Sequence, residues 1–377
     1  MTAKPPSPIM SIGKAAGPST LDVSVGPQHP GSGHCRILIR VDGDYIVSAD
    51  PDIGYVHRGC EKIAEYRNYV SNIPHLERPN ISDAIHLNWG YVLPIEELQG
   101  VAVPPRGRYI STIAAEMNRI MSHLYALAIM QGVFSGHTTI FMWAFGDRDL
   151  FIELAEMLTG ARLTYSFLVP GGPRRDLPLG FEDRLSKLLD YFEKRLVEYD
   201  RIFFSNPLLI ARSKGVGVLE RRDAMKLGVV GPVLRASGVK YDVRKVEPYG
   251  AYDDLEFEIP TFEEGDSYSR FMVRFEEMKQ SVSIIRQALQ KIPKGPIARK
   301  APLVAPEGEA TGRVESSRGE ITYMVMGDNS DKPYRVKIMN GSFRNLIALP
   351  FLIRNVRVAD MPIIYGSLDY WPVEADR

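Results

Sequence analysis

The chain has 377 residues, 45% of them apolar, and its 46 Lys and Arg balance 46 Asp and Glu, so the formal net charge is zero. That is enough apolar material for a sizeable core, and the lack of a basic excess speaks against nucleic acid as a partner. The two cysteines, Cys35 and Cys60, form no CxxC, so the chain alone supplies neither four thiolates for a cluster nor a disulfide framework, and a reducing compartment is expected.

In chain order, MTAKPPSPIMSIGKAAGPST is rich in Pro, Gly, Ala and Ser and lacks the apolar stretch of a signal peptide. Residues 1–20 are expected to be a flexible arm. Residues 21–58 read as a β-region, because Ile37, Ile39 and Val41 alternate with Leu38, Arg40 and Asp42 and VDGDY is a hairpin turn signal. From 59 to 205 the apolar spacing becomes three to four residues, beginning with Ile63, Tyr66, Val70 and Ile73, and predicts a bundle of five helices. Ser82 or Asp83 is the expected N-cap of one of them and Gly100 its stop signal. The apolar run Leu124–Phe145 is interrupted by Gln131, Ser135, Gly136 and His137, which makes it too polar to span a bilayer.

Residues 206–300 read as mixed α/β with one long helix from Asp266 onward. Residues 301–377 predict a β-hairpin turning at GDNSDKP, followed by a buried tail. The tail, GSLDYWPVEADR, carries Leu368, Tyr370, Trp371 and Pro372 where a terminus is ordinarily polar and frayed. A last strand capping the core is its plainest reading. The whole is an α+β unit, with a central helical bundle and small β-elements near both ends.

Three stretches carry chemistry. GPQHPGSGH holds His29 and His34 in a Gly/Pro loop between strands, which suits either proton delivery near neutral pH or an ordinary turn. HRGCEK sets His57 and Arg58 before a helix with Glu61 in its first turn, which suits a site or simple dipole capping. EMNRIMSHL places Glu116, Arg119 and His123 on one helical face, as a functional group or a satisfied buried network. There is no GxSxG, no Walker A loop and no GxGxxG after a strand.

These stretches, together with GPVLRASG (231–238), GDSYSR (265–270), VESSRGE (314–320) and the closing segment, resemble the large catalytic-module subunit of respiratory complex I, which descends from the [NiFe] hydrogenase large subunit. The likeness runs from Leu21 to Arg377. It implies the hydrogenase large-subunit fold and a small partner subunit carrying the terminal [4Fe–4S] cluster at the root of a membrane arm. It also explains the tail. At the four positions where a hydrogenase has nickel-binding cysteines, this chain has Asn80, Asp83, Trp371 and Glu374. No metal or other cofactor is therefore expected in this chain by itself.

The resemblance to a quinone reductase is imperfect as well. The family's quinone-binding Tyr corresponds to Ile81, the Asp beyond SHL corresponds to Phe134, and the histidine loop is shortened and rearranged at His29 and His34. That pattern is similar to the archaeal membrane-bound sulfane-sulfur reductase family. It implies electrons from ferredoxin through cluster-carrying subunits, an anionic sulfur chain as acceptor, and ion translocation by an Na⁺/H⁺ antiporter-like membrane arm. The chain would then be a peripheral subunit on the cytoplasmic face of the cell membrane. In this reading His29, His34 and Arg78 are catalytic, Asn80, Asp83 and Glu374 bind substrate, and Arg58 and His123 tune the neighbouring cluster. A quinone reductase with a reshaped pocket and a non-catalytic scaffold for the cluster subunit are the alternatives.

Overall fold

The computed structural model describes residues 20–28 and 33–377; nearly all of the expected arm, and His29, lie outside them. The N-terminal sheet is antiparallel in the order β1 (Thr20–Val25), β2 (Arg36–Asp42), β3 (Tyr45–Asp52). Ile37, Ile39 and Val41 face the core and Leu38, Arg40 and Asp42 face out, as the alternation predicts.

The first expected helix is not continuous. It divides into α1 (Cys60–Ala64) and α2 (Ile73–Glu77), separated by a turn region. Side-chain amides take over the backbone there: Asn68 Oδ1 accepts from Ser71 N at 2.8 Å, and Asn72 Nδ2 donates to Ala64 O at 2.8 Å. Such bonds compete with the helical ladder, and apolar spacing does not register them.

The bundle proper is α3 (Ala84–Gln99), α4 (Pro105–Tyr125), α5 (Thr138–Thr159) and α6 (Phe181–Tyr199), with the long Ser267–Lys291 helix packed along α4. Beyond α4 the backbone widens into π-helical turns over Ala126–Val133. π-turns in α-helices frequently mark functional sites.

The expected C-terminal hairpin is a three-stranded antiparallel sheet, Gly308–Ser316, Gly319–Gly327 and Arg335–Met339. GDNSDKP joins the second and third strands, while the tight turn at Ser317–Arg318 joins the first and second. The tail is no strand. It forms the helices Met361–Leu368 and Pro372–Asp376, with Asp369 between them at φ 53. Gly366 makes this docking possible, since a Cβ there would lie 2.1 Å from the Met130 carbonyl oxygen of the π-turn.

Candidate active site

The C-terminal tail is held at its last two residues. Val56 N donates to Asp376 Oδ2 at 2.9 Å, Arg58 N to Arg377 O at 3.3 Å, and Arg377 reaches the Ile338 carbonyl at 2.6 Å. The tail thereby lies against the turn between α2 and α3. Asn80 Nδ2 donates to Glu374 Oε2 at 2.9 Å, and Ser342 Oγ donates to the same oxygen at 2.8 Å. Asn80, Asp83 and Glu374, three of the positions singled out in the sequence, are together and sealed from solvent.

Each carboxylate in this cluster has different company. Asp83, the expected N-cap of α3, gives it no side-chain cap; its Oδ1 pairs with His86 Nδ1 at 2.5 Å and its Oδ2 accepts from Ser317 N and Oγ. Burial pushes its pKa up, but His86, Arg318 and Ser317 outweigh burial and hold it well below the carboxylate range. Asp369 is paired with Arg318 through Nη2 at 3.0 Å. Glu374 has no ion pair, and its Oε1 is buried with no protein partner. Burial raises its pKa to about 7 despite the Arg318 charge and the Ser342 and Asn80 bonds.

Arg318 links this polar cluster to a cavity. Its guanidinium sits 5.4 Å from the Trp371 ring, and its Nη1 also reaches Ser82 and Ser122. On the other side, Trp371 packs edge-on against Tyr125 at 5.3 Å. Here the π-turn and the tail enclose about 260 Å³, lined by Gly33, His34, Tyr125, Ile129, Met130, Phe134, Tyr365 and Tyr370–Val373. Its walls are aromatic and apolar. His34 is its single imidazole among the described residues, and no Lys or Arg lines it.

Several expected site residues lie elsewhere. Arg78 caps α2 with an exposed side chain and is not in the cavity wall. Of the cationic or protonatable groups His29, His34, Arg58 and Arg78, His34 lines the cavity, Arg58 and Arg78 are exposed near His75 and do not, and His29 lies outside the described residues. Arg58 is exposed beside α1, whereas His123 is wholly buried, its Nε2 2.8 Å from Glu277. No atom of His123 reaches the surface, so a direct bond across to a neighbouring chain is not open to it. Ile81 is partly exposed and Phe134 forms cavity wall. Cys35 and Cys60 are buried, and burial raises both thiols, Cys35 to about 12, the opposite of a reactive cysteine.

Behind the cavity lies an ionic core. Glu116 accepts from Arg119, Arg244, Ser281 and Tyr252, and Arg235 joins Glu277 at 2.7 Å to Glu315 at 2.8 Å. Burial raises the pKa of Glu116, yet Arg119 and Arg244 bring it down to about 2. The face shared by Glu116 and Arg119 was legible from helical spacing. Their partners come from remote segments: Arg235 and Glu315 lie within the motifs GPVLRASG and VESSRGE, but nothing in the sequence paired them, and Arg244 in YDVRKVE carried no signal. Among the described residues no group of three or more His, Cys, Asp or Glu is placed to hold a metal ion.

The chain is similar to known proteins along most of its length. The family model for the respiratory-chain NADH dehydrogenase 49 kDa subunit matches residues 135–306 and 300–377. The chain is 41% identical over 358 residues to an NADH-quinone oxidoreductase subunit of Dehalococcoides mccartyi, covering 94% of this chain and 98% of that one. It is 43% identical over 352 residues to the corresponding NADH-quinone oxidoreductase subunit from Carboxydothermus hydrogenoformans, covering 93% and 96%. A chain of the membrane-bound sulfane sulfur reductase, an archaeal respiratory membrane complex, superposes with a TM-score of 0.92 at 36% identity over 95% of this chain and 99% of that one.

Proposed function

Because the chain belongs to the family of the respiratory-chain NADH dehydrogenase 49 kDa subunit, we propose that it is the acceptor-reducing subunit of a complex I-type oxidoreductase, with a quinone as acceptor. The observation that carries this reading is the cavity between the π-turn and the tail. It is small beside the roughly 300–1,000 Å³ of ordinary ligand pockets, and its walls are Tyr125, Phe134, Tyr365, Tyr370 and Trp371. A flat, weakly polar ring buries well against such rings. Among the described residues no Lys or Arg lines the cavity to offset the charge of a polysulfide dianion, and burying charge without a partner cation is costly. The anionic sulfur chain expected from the sequence therefore finds little support in the lining.

A second reading rests on a different observation. The residue at the expected quinone-Asp position is Phe134, in the cavity wall, and the likeness to the sulfane sulfur reductase covers almost the whole chain. A neutral sulfane-sulfur compound suits the same apolar walls. In either case the proposed route brings electrons in from the [4Fe–4S] cluster of a small partner subunit. No helix among the described residues is long and apolar enough to cross a membrane, consistent with a peripheral place on a membrane complex, here proposed to be its cytoplasmic face. Ferredoxin as donor and an antiporter-like membrane arm remain part of the proposal.

The deciding experiment is competition in the assembled complex between a short-chain quinone, a dialkyl trisulfide and inorganic polysulfide. Preferred reduction of the quinone supports the first reading, and preference for the trisulfide supports the second. Preference for the dianion overturns both. Reduction of any of them at full rate after Trp371→Ala indicates a scaffold rather than a catalytic subunit.

A further inference from the structure

Immediately after the wall segment Tyr370–Val373, and behind the cavity lining rather than in it, lies an unexplained carboxyl. Three carboxylates surround Arg318: Asp83, Asp369 and Glu374. Asp83 has both oxygens saturated by His86 and Ser317. Asp369 has Arg318 at 3.0 Å and Arg274 at 3.9 Å. Asp369 Oδ2 and Glu374 Oε1 both lack a hydrogen-bond partner, but Asp369 still has two guanidinium groups beside it, whereas Glu374 has no cation within ion-pair distance although its side chain is only 1% exposed. A buried orphan carboxylate oxygen is costly unless it has a use.

Its other oxygen is tied to the cavity wall. Ser342 Oγ donates to Glu374 Oε2 at 2.8 Å and accepts from Trp371 N at 3.2 Å, so the carboxyl and the main chain of a wall residue share one hydroxyl. Asn80 holds the same Oε2 from the α2–α3 turn. The charged and titratable groups facing Glu374 are Asp83 from that turn, Arg318 from the tight β-turn and Tyr323 from the strand beyond it. Arg318 is already engaged by Asp369, and among the described residues no Lys or Arg lines the cavity to meet negative charge arriving there.

We propose that Glu374 is the proton-exchanging positioning residue of the acceptor site: its Oε2 fixes the Trp371 wall through Ser342, and its Oε1 takes up a proton when the acceptor becomes negatively charged. This rests on the acceptor-reducing reading above. In the step, one electron from the partner subunit's cluster reduces the bound acceptor to an anion. One proton from solvent then converts the Glu374 carboxylate to the acid, leaving the net charge of the site unchanged. A second electron from the cluster and two protons from solvent complete the two-electron reduction to the neutral product, and as it leaves the Glu374 acid gives its proton back to solvent. The unusual titration of Glu374 near pH 7 fits this exchange.

The test is infrared difference spectroscopy on the assembled complex with ¹³C-carboxyl-labelled glutamate, in wild type and Glu374→Gln. In the resting complex, a protonated-carboxyl band titrating near pH 7 and absent from Glu374→Gln is expected. At pH 8, reduction with acceptor bound should enlarge that band, and the inflection in the pH profile of turnover should vanish in Glu374→Gln. A band that does not respond to reduction, or an unchanged profile in the variant, overturns the proposal. Should Glu374→Gln fail to assemble, Glu374→Asp keeps the carboxyl one methylene shorter. A shifted band and inflection are then expected, and unshifted ones overturn it. If the wild type reduces neither quinone nor sulfur compounds, the functional reading falls, and the resting titration still decides whether Glu374 exchanges a proton.

Discussion

Asn80 and Glu374, 294 residues apart in sequence, are joined by a 2.9 Å hydrogen bond sealed from solvent. Both stand where the resemblance to hydrogenases places a metal ligand, and here an amide and a carboxyl close the gap that a metal would fill. Replacing Asn80 by Leu removes a donor from a buried carboxylate, for an expected cost of roughly 1–3 kcal/mol. Thermal unfolding of the purified chain measures it, and an unchanged midpoint would contradict the structural importance of this contact.

The same carboxyl predicts a pH dependence of stability. Glu374 has its pKa raised from 4.5 to about 7 by burial, so the fold favours its protonated form. The stability it contributes is complete below about pH 4.5 and is lost as pH rises through 7. Glu374→Gln should flatten that decline without steepening the acid limb, where Glu116, held down to about 2, dominates. Melting temperatures of both forms from pH 4 to pH 8 check it.

Glu116 neutralises Arg119 and Arg244 in the interior. Its replacement by Gln keeps the shape and removes the charge, taking the carboxylate from the buried Arg119 while Arg244 keeps Asp242 at 2.6 Å. A loss of roughly 3–5 kcal/mol is expected. Chemical denaturation should show it as a lower midpoint at unchanged slope.

His34 lines the cavity and Arg78 does not. His34→Ala is therefore expected to lower turnover by roughly 10²-fold if the imidazole delivers a proton, while Arg78→Ala should leave turnover within about twofold. Steady-state rates with the preferred acceptor distinguish them. Equal losses would mean that the acceptor binds somewhere other than this cavity.

Arg58 is exposed beside α1, free to face a neighbouring subunit. A cation next to an iron–sulfur cluster raises its potential. Arg58→Met should lower the midpoint potential of the partner's cluster in a redox titration of the complex, whereas substitutions at the buried His123 should act first on stability, through Glu277.

Local pattern specifies much of this protein. The alternation around Ile37–Val41, the helical spacing of the bundle, the long helix after Asp266 and the buried character of the tail follow from residues close in sequence, because strand pleat and helix pitch repeat over two to four residues. The replaced ligand positions Asn80, Asp83, Trp371 and Glu374 were legible as motifs. Relationships between distant segments were not, and they emerge only in the folded chain. The break between α1 and α2 depends on Asn68 and Asn72 capturing backbone groups. The widening at Ala126–Val133 accompanies the close approach of Gly366. The arginine that bridges the old ligand cluster to the cavity, Arg318, arrives on a β-turn more than two hundred residues from Ser82. Buried charges are stable only when partners converge from all sides, and no short stretch of sequence contains that convergence.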